Sequence, residues 1–199
     1  MPFVFKRLAL LISIAAAFAA DKDAPFRPAP AGTYPHRQSS ERVTIAADPY
    51  DSGEKIKAAF GKLDPYQHGI LPVLIVIQND SGQTLQLDRM ELQYVGPNHN
   101  KVEATPAADV KYVGSSPHRP TAVPTTPGGA IVLKGKKSPL DVWEIEGRAF
   151  TAKMIPPDHT ASGFFYFQTG IQRGATIYLN GLREAASGKE LLYFEIPLD

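Results

Sequence analysis

The sequence predicts an all-β fold, an antiparallel β-sandwich carrying two short helices. Three observations lead there. About nine short segments are β-branched or aromatic and are separated by turn residues at frequent intervals. The turns include hairpin chemistry, Asn180-Gly181 above all. No strand–helix–strand alternation of the kind that builds a parallel sheet runs along the chain.

The elements follow in order. Residues 42–47 alternate, with Val43 and Ile45 on one face and Thr44 on the other, and predict a first strand. Asp48-Pro49-Tyr50-Asp51 turns the chain. Ser52 then caps a short helix in which Ile56, Ala59 and Phe60 share a face and Gly61 stops it. Residues 71–78 (Leu-Pro-Val-Leu-Ile-Val-Ile-Gln) are apolar on both faces, which predicts a central strand covered on both sides. Asn79-Asp80-Ser81-Gly82 suits a hairpin, and residues 84–95 are its expected partner, with a bulge or bend near Asp88-Arg89. Gly96-Pro97-Asn98 turns again. Residues 105–129 hold Pro106, Pro117, Pro120, Pro124 and Pro127 and predict one long loop. A short strand is expected at 130–133 and a helix over 138–148, capped by Ser138 with Pro139 in its first turn. Residues 150–155, 162–168, 175–179, 182–186 and 191–198 complete the strands, the last with Phe194, Ile196 and Leu198 on one face. Short antiparallel strands of this number and spacing imply an immunoglobulin-like sandwich, without the paired cysteines and tryptophan of antibody domains.

Three regions divide the chain. In residues 1–19, Lys6 and Arg7 precede an apolar run from Leu8 to Phe18, and Ala17-Phe18-Ala19 supplies small residues where a signal peptidase reads. The run is too short for a comfortable bilayer span, so it predicts a secretory signal cleaved before Ala20 and a secreted or periplasmic protein. Residues 20–40, with Pro25, Pro28, Pro30 and Pro35 and few large apolar side chains, predict a disordered proline-rich tether. Residues 41–199 are the sandwich domain, large enough to hold a core without disulfides or metal.

Composition removes several functions. The chain has no cysteine, which excludes a disulfide framework, a thiol nucleophile, a thiolate metal site and a lipid-modified N-terminus. Loss of Lys6 and Arg7 with the signal takes the formal charge from +1 to −1, a balance that gives no field for nucleic acid. No transmembrane segment is expected in the mature chain.

Residues 162–167 (Ser-Gly-Phe-Phe-Tyr-Phe), 179–183 (Leu-Asn-Gly-Leu-Arg) and 188–197 (Gly-Lys-Glu-Leu-Leu-Tyr-Phe-Glu-Ile-Pro), with the stretch from Gly69 to Asn79, form one pattern covering about a third of the chain. In it the chain resembles uncharacterised secreted bacterial proteins of unknown function. The resemblance implies an immunoglobulin-like or late-embryogenesis-like sandwich and no activity.

The candidate chemistry is sparse. His36, His68, His99, His118 and His159 lie in predicted loops and form no close pair, so no metal site is expected from them. Asp48, Asp51 and Glu54 offer hard oxygens for Ca²⁺, but turn and helix-cap chemistry accounts for all three. Ser115, Ser116 and His118 are the nearest approach to a hydrolase cluster, and no G-x-S-x-G motif accompanies them. Lys134, Lys136 and Lys137 read as a solvated turn. No catalytic residue, metal or cofactor is expected. The leading reading is a non-enzymatic exported module that binds an unknown protein partner. Its expected contacts are Pro117, His118, Arg119, Pro120 and Pro124 of the long loop. Phe164 and Tyr166 join them if the aromatic run 164–167 is an exposed face and not a central strand covered on both sides. The alternative is a carrier of a small apolar ligand in a cavity lined by residues 71–77 and 164–167. A secreted hydrolase ranks last.

Overall fold

The computed structural model describes residues 26–113 and 138–199. The expected signal (1–19), the first part of the tether, the strand at 130–133 and the three-lysine cluster lie outside the described residues. The elements run β1 (Arg37–Ser40), β2 (Val43–Pro49), α1 (Gly53–Phe60), β3 (Leu71–Asn79), β4 (Leu85–Gln86), β5 (Glu91–Val95), β6 (Lys101–Thr105) and α2 (Ala107–Val110). After residue 138 come α3 (Trp143–Gly147), β7 (Met154–Ile155), β8 (His159–Phe167), β9 (Thr176–Asn180), β10 (Arg183–Glu184) and β11 (Phe194–Pro197).

The fold is predominantly β, and its strand ladders are antiparallel, as the turn pattern implies. One sheet has eight strands in the order β1-β2-β3-β8-β6-β5-β9-β11, and a small sheet has the order β10-β4-β7. The large sheet curls into a nearly closed, barrel-like form. Its halves, β1-β2-β3-β8 and β6-β5-β9-β11, are joined only by a short ladder in which Ala104 and Thr105 pair with Phe167 and Tyr166. At the other end the edge strands β1 and β11 approach, and the Glu195 N–H donates to Gln38 Oε1 at 2.6 Å.

Alternation along β3 sets the layers. Leu71, Val73, Ile75 and Ile77 point into the barrel, against Val43 and Ile45 of β2, Tyr94 of β5, Ile177 and Leu179 of β9, and Phe194 and Ile196 of β11. Leu74 and Val76 point outward, into a second core with Ile56, Ala59 and Phe60 of α1, Val110 of α2, Ile145 of α3, and Phe164 and Tyr166 of β8. Each such side chain contributes about 1.5–3 kcal/mol by leaving water. The doubly apolar strand is therefore central, flanked by β2 and β8.

α1 forms where expected, with Ile56, Ala59 and Phe60 buried and Gly61 ending it at φ 64°, but Ser52, extended at the N-cap, makes no side-chain capping hydrogen bond.

Several expectations are corrected. Residues 84–95 do not pair with β3. The turn after Asn79 leads into the small sheet, where β4 meets β7 and β10, and beyond the break at Asp88-Arg89 the chain enters the far half as β5. Asn180-Gly181 is likewise not a hairpin but a bend between sheets, since β9 pairs with β5 and β11 while β10 pairs with β4. Gly181 has φ 77°, and a Cβ there would stand 2.0 Å from the Arg89 carbonyl oxygen, so the bend needs glycine for both reasons. Ser138 to Asp141 is a turn, with the Asp141 N–H donating to the Ser138 carbonyl, and the helix starts only at Trp143. The strand expected at 150–155 shrinks to Met154–Ile155. Ahead of it, residues 148–150 lie beside β8, with Phe150 N–H to Phe164 O at 3.1 Å and Phe164 N–H to Arg148 O at 2.9 Å. The supposed long loop begins with the end of β6 and with α2, which buries Val110.

The tether reading fails for residues 26–40. Ala31 is fully buried in a 3₁₀ turn, Phe26 packs at 5.5 Å from the Phe164 ring, and residues 37–40 form β1 on the edge of β2. A few aromatic and small side chains suffice because they pack into the core beneath the helical layer. A composition average does not register that.

Candidate partner-binding surface

Pro117, His118, Arg119, Pro120 and Pro124 lie outside the described residues, as do Ser115 and Ser116. Phe164 and Tyr166 are described, and they are not a surface. The first is 2 % exposed and the second 1 %. Phe164 is ringed by Phe26 at 5.5 Å, Tyr50 at 4.8 Å and Phe60 at 4.8 Å between centroids. The Tyr166 hydroxyl donates to the Ile145 carbonyl at 2.7 Å. Burial pushes its phenol pKa well above the ordinary value, with Arg148 opposing. A strand under a helical layer on one side and inside a barrel on the other needs large apolar residues on both faces, which accounts for the aromatic run.

The structure exposes other aromatics. Trp143 opens α3 and is 68 % exposed, and Tyr112, just past α2, is 56 % exposed. The two helices pack together through Val110 and Ile145, and Lys111 Nζ lies 3.8 Å from Glu146 Oε1. Both rings flank the points where the proline-rich segment leaves the described fold at Val113 and returns at Ser138. Sequence reasoning placed Trp143 in a helix without assigning it a face. Within α3 only Ile145 is buried, and Val142 and Ala149, which pack on the same core, lie outside the helix, so spacing gave no signal for the outward face of Trp143.

Beside Trp143 stands Arg148. Its Cζ is 5.7 Å from the Trp143 ring centroid and 5.3 Å from that of Phe26. Tyr50 meets Phe26 edge-on at 6.1 Å. Burial, then the nearby Asp48 carboxylate, pushes the Tyr50 phenol far above its usual range.

The metal candidates do not assemble. Asp48 is held by Lys55, whose Nζ lies 2.7 Å from Oδ1 and 3.1 Å from the Pro49 carbonyl, so an ammonium already neutralises that carboxylate. His159 Nδ1 lies 2.7 Å from the Pro157 carbonyl. Among the described residues no group of three His, Asp or Glu side chains is placed to hold a metal ion. The lining expected of an apolar carrier divides between two cores: Leu71, Val73, Ile75, Ile77, Phe165 and Phe167 face the barrel, and Leu74, Val76, Phe164 and Tyr166 face the helical layer. No helix among the described residues is long and apolar enough to cross a membrane.

No protein-family model matches the chain, and no curated protein matches it significantly.

Proposed function

We propose that the protein is an exported, non-enzymatic β-domain that binds a protein partner outside the cytoplasm. The observation that carries the reading is the pair of exposed rings, Trp143 and Tyr112, on the packed helices α2 and α3. Rigid, amphipathic rings give large contact area at low entropic cost, and they are enriched at interfaces. The prolines between residues 115 and 128 restrict the backbone of the adjoining segment, which lowers the entropy lost on capture. Export rests on the n-region, the apolar run and Ala17-Phe18-Ala19. The immunoglobulin-like comparison belongs to the same proposal, and its support is that two four-stranded halves face one another across one core.

The test is affinity capture from the native host with the intact protein, with Trp143→Ala/Tyr112→Ala, and with residues 115–128 replaced by a Gly/Ser linker. A partner recovered by the intact chain and lost by either variant at unchanged unfolding midpoint supports the reading. Equal recovery by all three sinks it. N-terminal sequencing of exported material should start at or within a few residues of Ala20. A product that retains Met1 in the membrane overturns the localisation.

A further inference from the structure

The helical layer holds a half-buried guanidinium with no ion-pair partner among the described residues. Arg148 Nη1 is buried and makes no hydrogen bond. No described carboxylate pairs with it, whereas Lys55 is held by Asp48 and Lys111 lies by Glu146. A buried, unmatched guanidinium N–H is costly, and native folds leave few such groups without a reason. The Tyr50 hydroxyl, in the same aromatic cluster, also has no hydrogen-bond partner among the described residues. Two donors without acceptors thus sit around Phe26.

The walls are aromatic. Phe26 and Trp143 both lie within cation–π range of the guanidinium. Gly147 seats the indole: a Cβ there would stand 2.6 Å from Trp143 Cε3. The Trp143 ring is mostly exposed, so it can swing aside without opening either core.

We propose that Arg148 and Tyr50, walled by Phe26 and Trp143, bind the carboxylate of a small aromatic acid. The charge chooses the ligand. One unpaired guanidinium suits a monoanion, and its planar fork matches a carboxylate's two oxygens. The Tyr50 O–H, a phenol protonated at neutral pH, adds a third donor. The acid's ring lies against Phe26 and the displaced indole. This site adjoins the proposed docking surface but does not depend on a protein partner.

Trp143 is the only tryptophan of the chain, so its fluorescence reports the site directly. The experiment is a titration of the full chain with benzoate at pH 7, with benzyl alcohol as uncharged analogue and inorganic phosphate as a second anion. Benzoate should give a saturable change that neither control reproduces. Arg148→Gln should bind at least about ten-fold more weakly, Arg148→Lys in between, and Tyr50→Phe a few-fold more weakly than wild type. Unfolding midpoints serve as the check on folding. Should Arg148→Gln not fold, the Lys and Tyr50 variants carry the test. A linear response to benzoate, an equal response to benzyl alcohol or phosphate, or unchanged affinity in the folded Arg148 variants overturns the proposal.

Discussion

Asn79 is the one polar or charged residue among those described that is wholly buried, and replacing it should dismantle the small sheet. Its Nδ2 donates to the carbonyls of Gln83 at 2.7 Å, Ile155 at 3.0 Å and Pro156 at 3.0 Å. Its Oδ1 accepts from Ser81 N–H at 3.1 Å and Ser81 Oγ–H at 2.6 Å. One amide therefore ties the turn after β3 to the turn between β7 and β8. Asn79→Leu keeps the branched shape, is somewhat bulkier, and removes every side-chain bond. The Ile155 carbonyl is left buried without this partner, at about 1–3 kcal/mol, and the remaining bonds contribute about 0.5–1 kcal/mol each. The expected loss is about 3–7 kcal/mol, read by urea unfolding. Asn79→Asp keeps the shape but turns an oxygen toward three carbonyl oxygens. Burial and those acceptors raise its folded-state pKa above the unfolded value of about 3.9. A raised carboxyl stabilises fully below the unfolded value, and that contribution is lost as pH rises through the folded one. The Asp variant should therefore lie closer to wild type at pH 3.5 than at pH 7. A loss under about 1 kcal/mol for the Leu variant, or the same deficit for the Asp variant at both pH values, refutes the reasoning.

Gly163→Ala puts a Cβ 2.4 Å from Phe150 Cα and should cost about 1–3 kcal/mol in thermal unfolding by pushing residues 148–150 off β8; a neutral result would mean that segment shifts freely. Ile75 is fully buried within the barrel, so Ile75→Ala should cost about 2–5 kcal/mol, and under about 0.5 kcal/mol would remove β3 from the core. Tyr50 and Tyr166 have raised folded pKa values, so their contribution is complete below about pH 10, where an unfolded phenol ionises, and falls as pH rises beyond it. Tyr166→Phe should blunt that alkaline loss relative to its own neutral-pH stability, and an unaltered slope counts against the burial argument. Arg42 has φ 62°, so Arg42→Gly should raise stability by about 0.5–1 kcal/mol, and a decrease would show that its side chain matters more than its backbone.

Local chemistry was legible in the sequence, and pairing was not. α1 could be read from Ile56, Phe60 and Gly61 because stripe and stop are encoded within a few residues, although Ser52 makes no capping bond. The central place of β3 could be read because double burial leaves a double apolar face. Its neighbours could not. Asn79-Asp80-Ser81-Gly82 and Asn180-Gly181 satisfy hairpin rules, yet both carry the chain from one sheet to another. Turn chemistry specifies backbone angles over two residues, whereas the partner of the next strand depends on which side chains meet across the core. Asn79 decides the first case through bonds to residues 155 and 156, far away in sequence. The exposed side of α3 was not legible, because a five-residue helix with one buried side chain sets no stripe. Nor was the unpartnered state of Arg148, because it depends on which distant acids the fold withholds.

The N-terminal segment shows the opposite failure, structure where composition foretold none. β1 and β2 are joined by Glu41 and Arg42, whose φ values of 49° and 62° are those a two-residue primed turn requires. Neither is glycine or asparagine, so the hairpin leaves no trace in the turn residues. What holds it is tertiary. Ser40 pairs with Val43 and Arg37 with Ala46, along a β2 whose inward side chains are already committed to the barrel core. On its far side β1 meets β11 through side chains, Gln38 to the Glu195 N–H, while next to the turn Glu41 pairs with Lys189. Without β1 the apolar β2 would be an open edge, the kind of surface that recruits other chains. A short polar strand is well suited to that place because it need not bury anything itself. Its arginine, glutamine and serines face solvent and the gap, and they cap a barrel that is closed by side chains where a backbone ladder would otherwise continue.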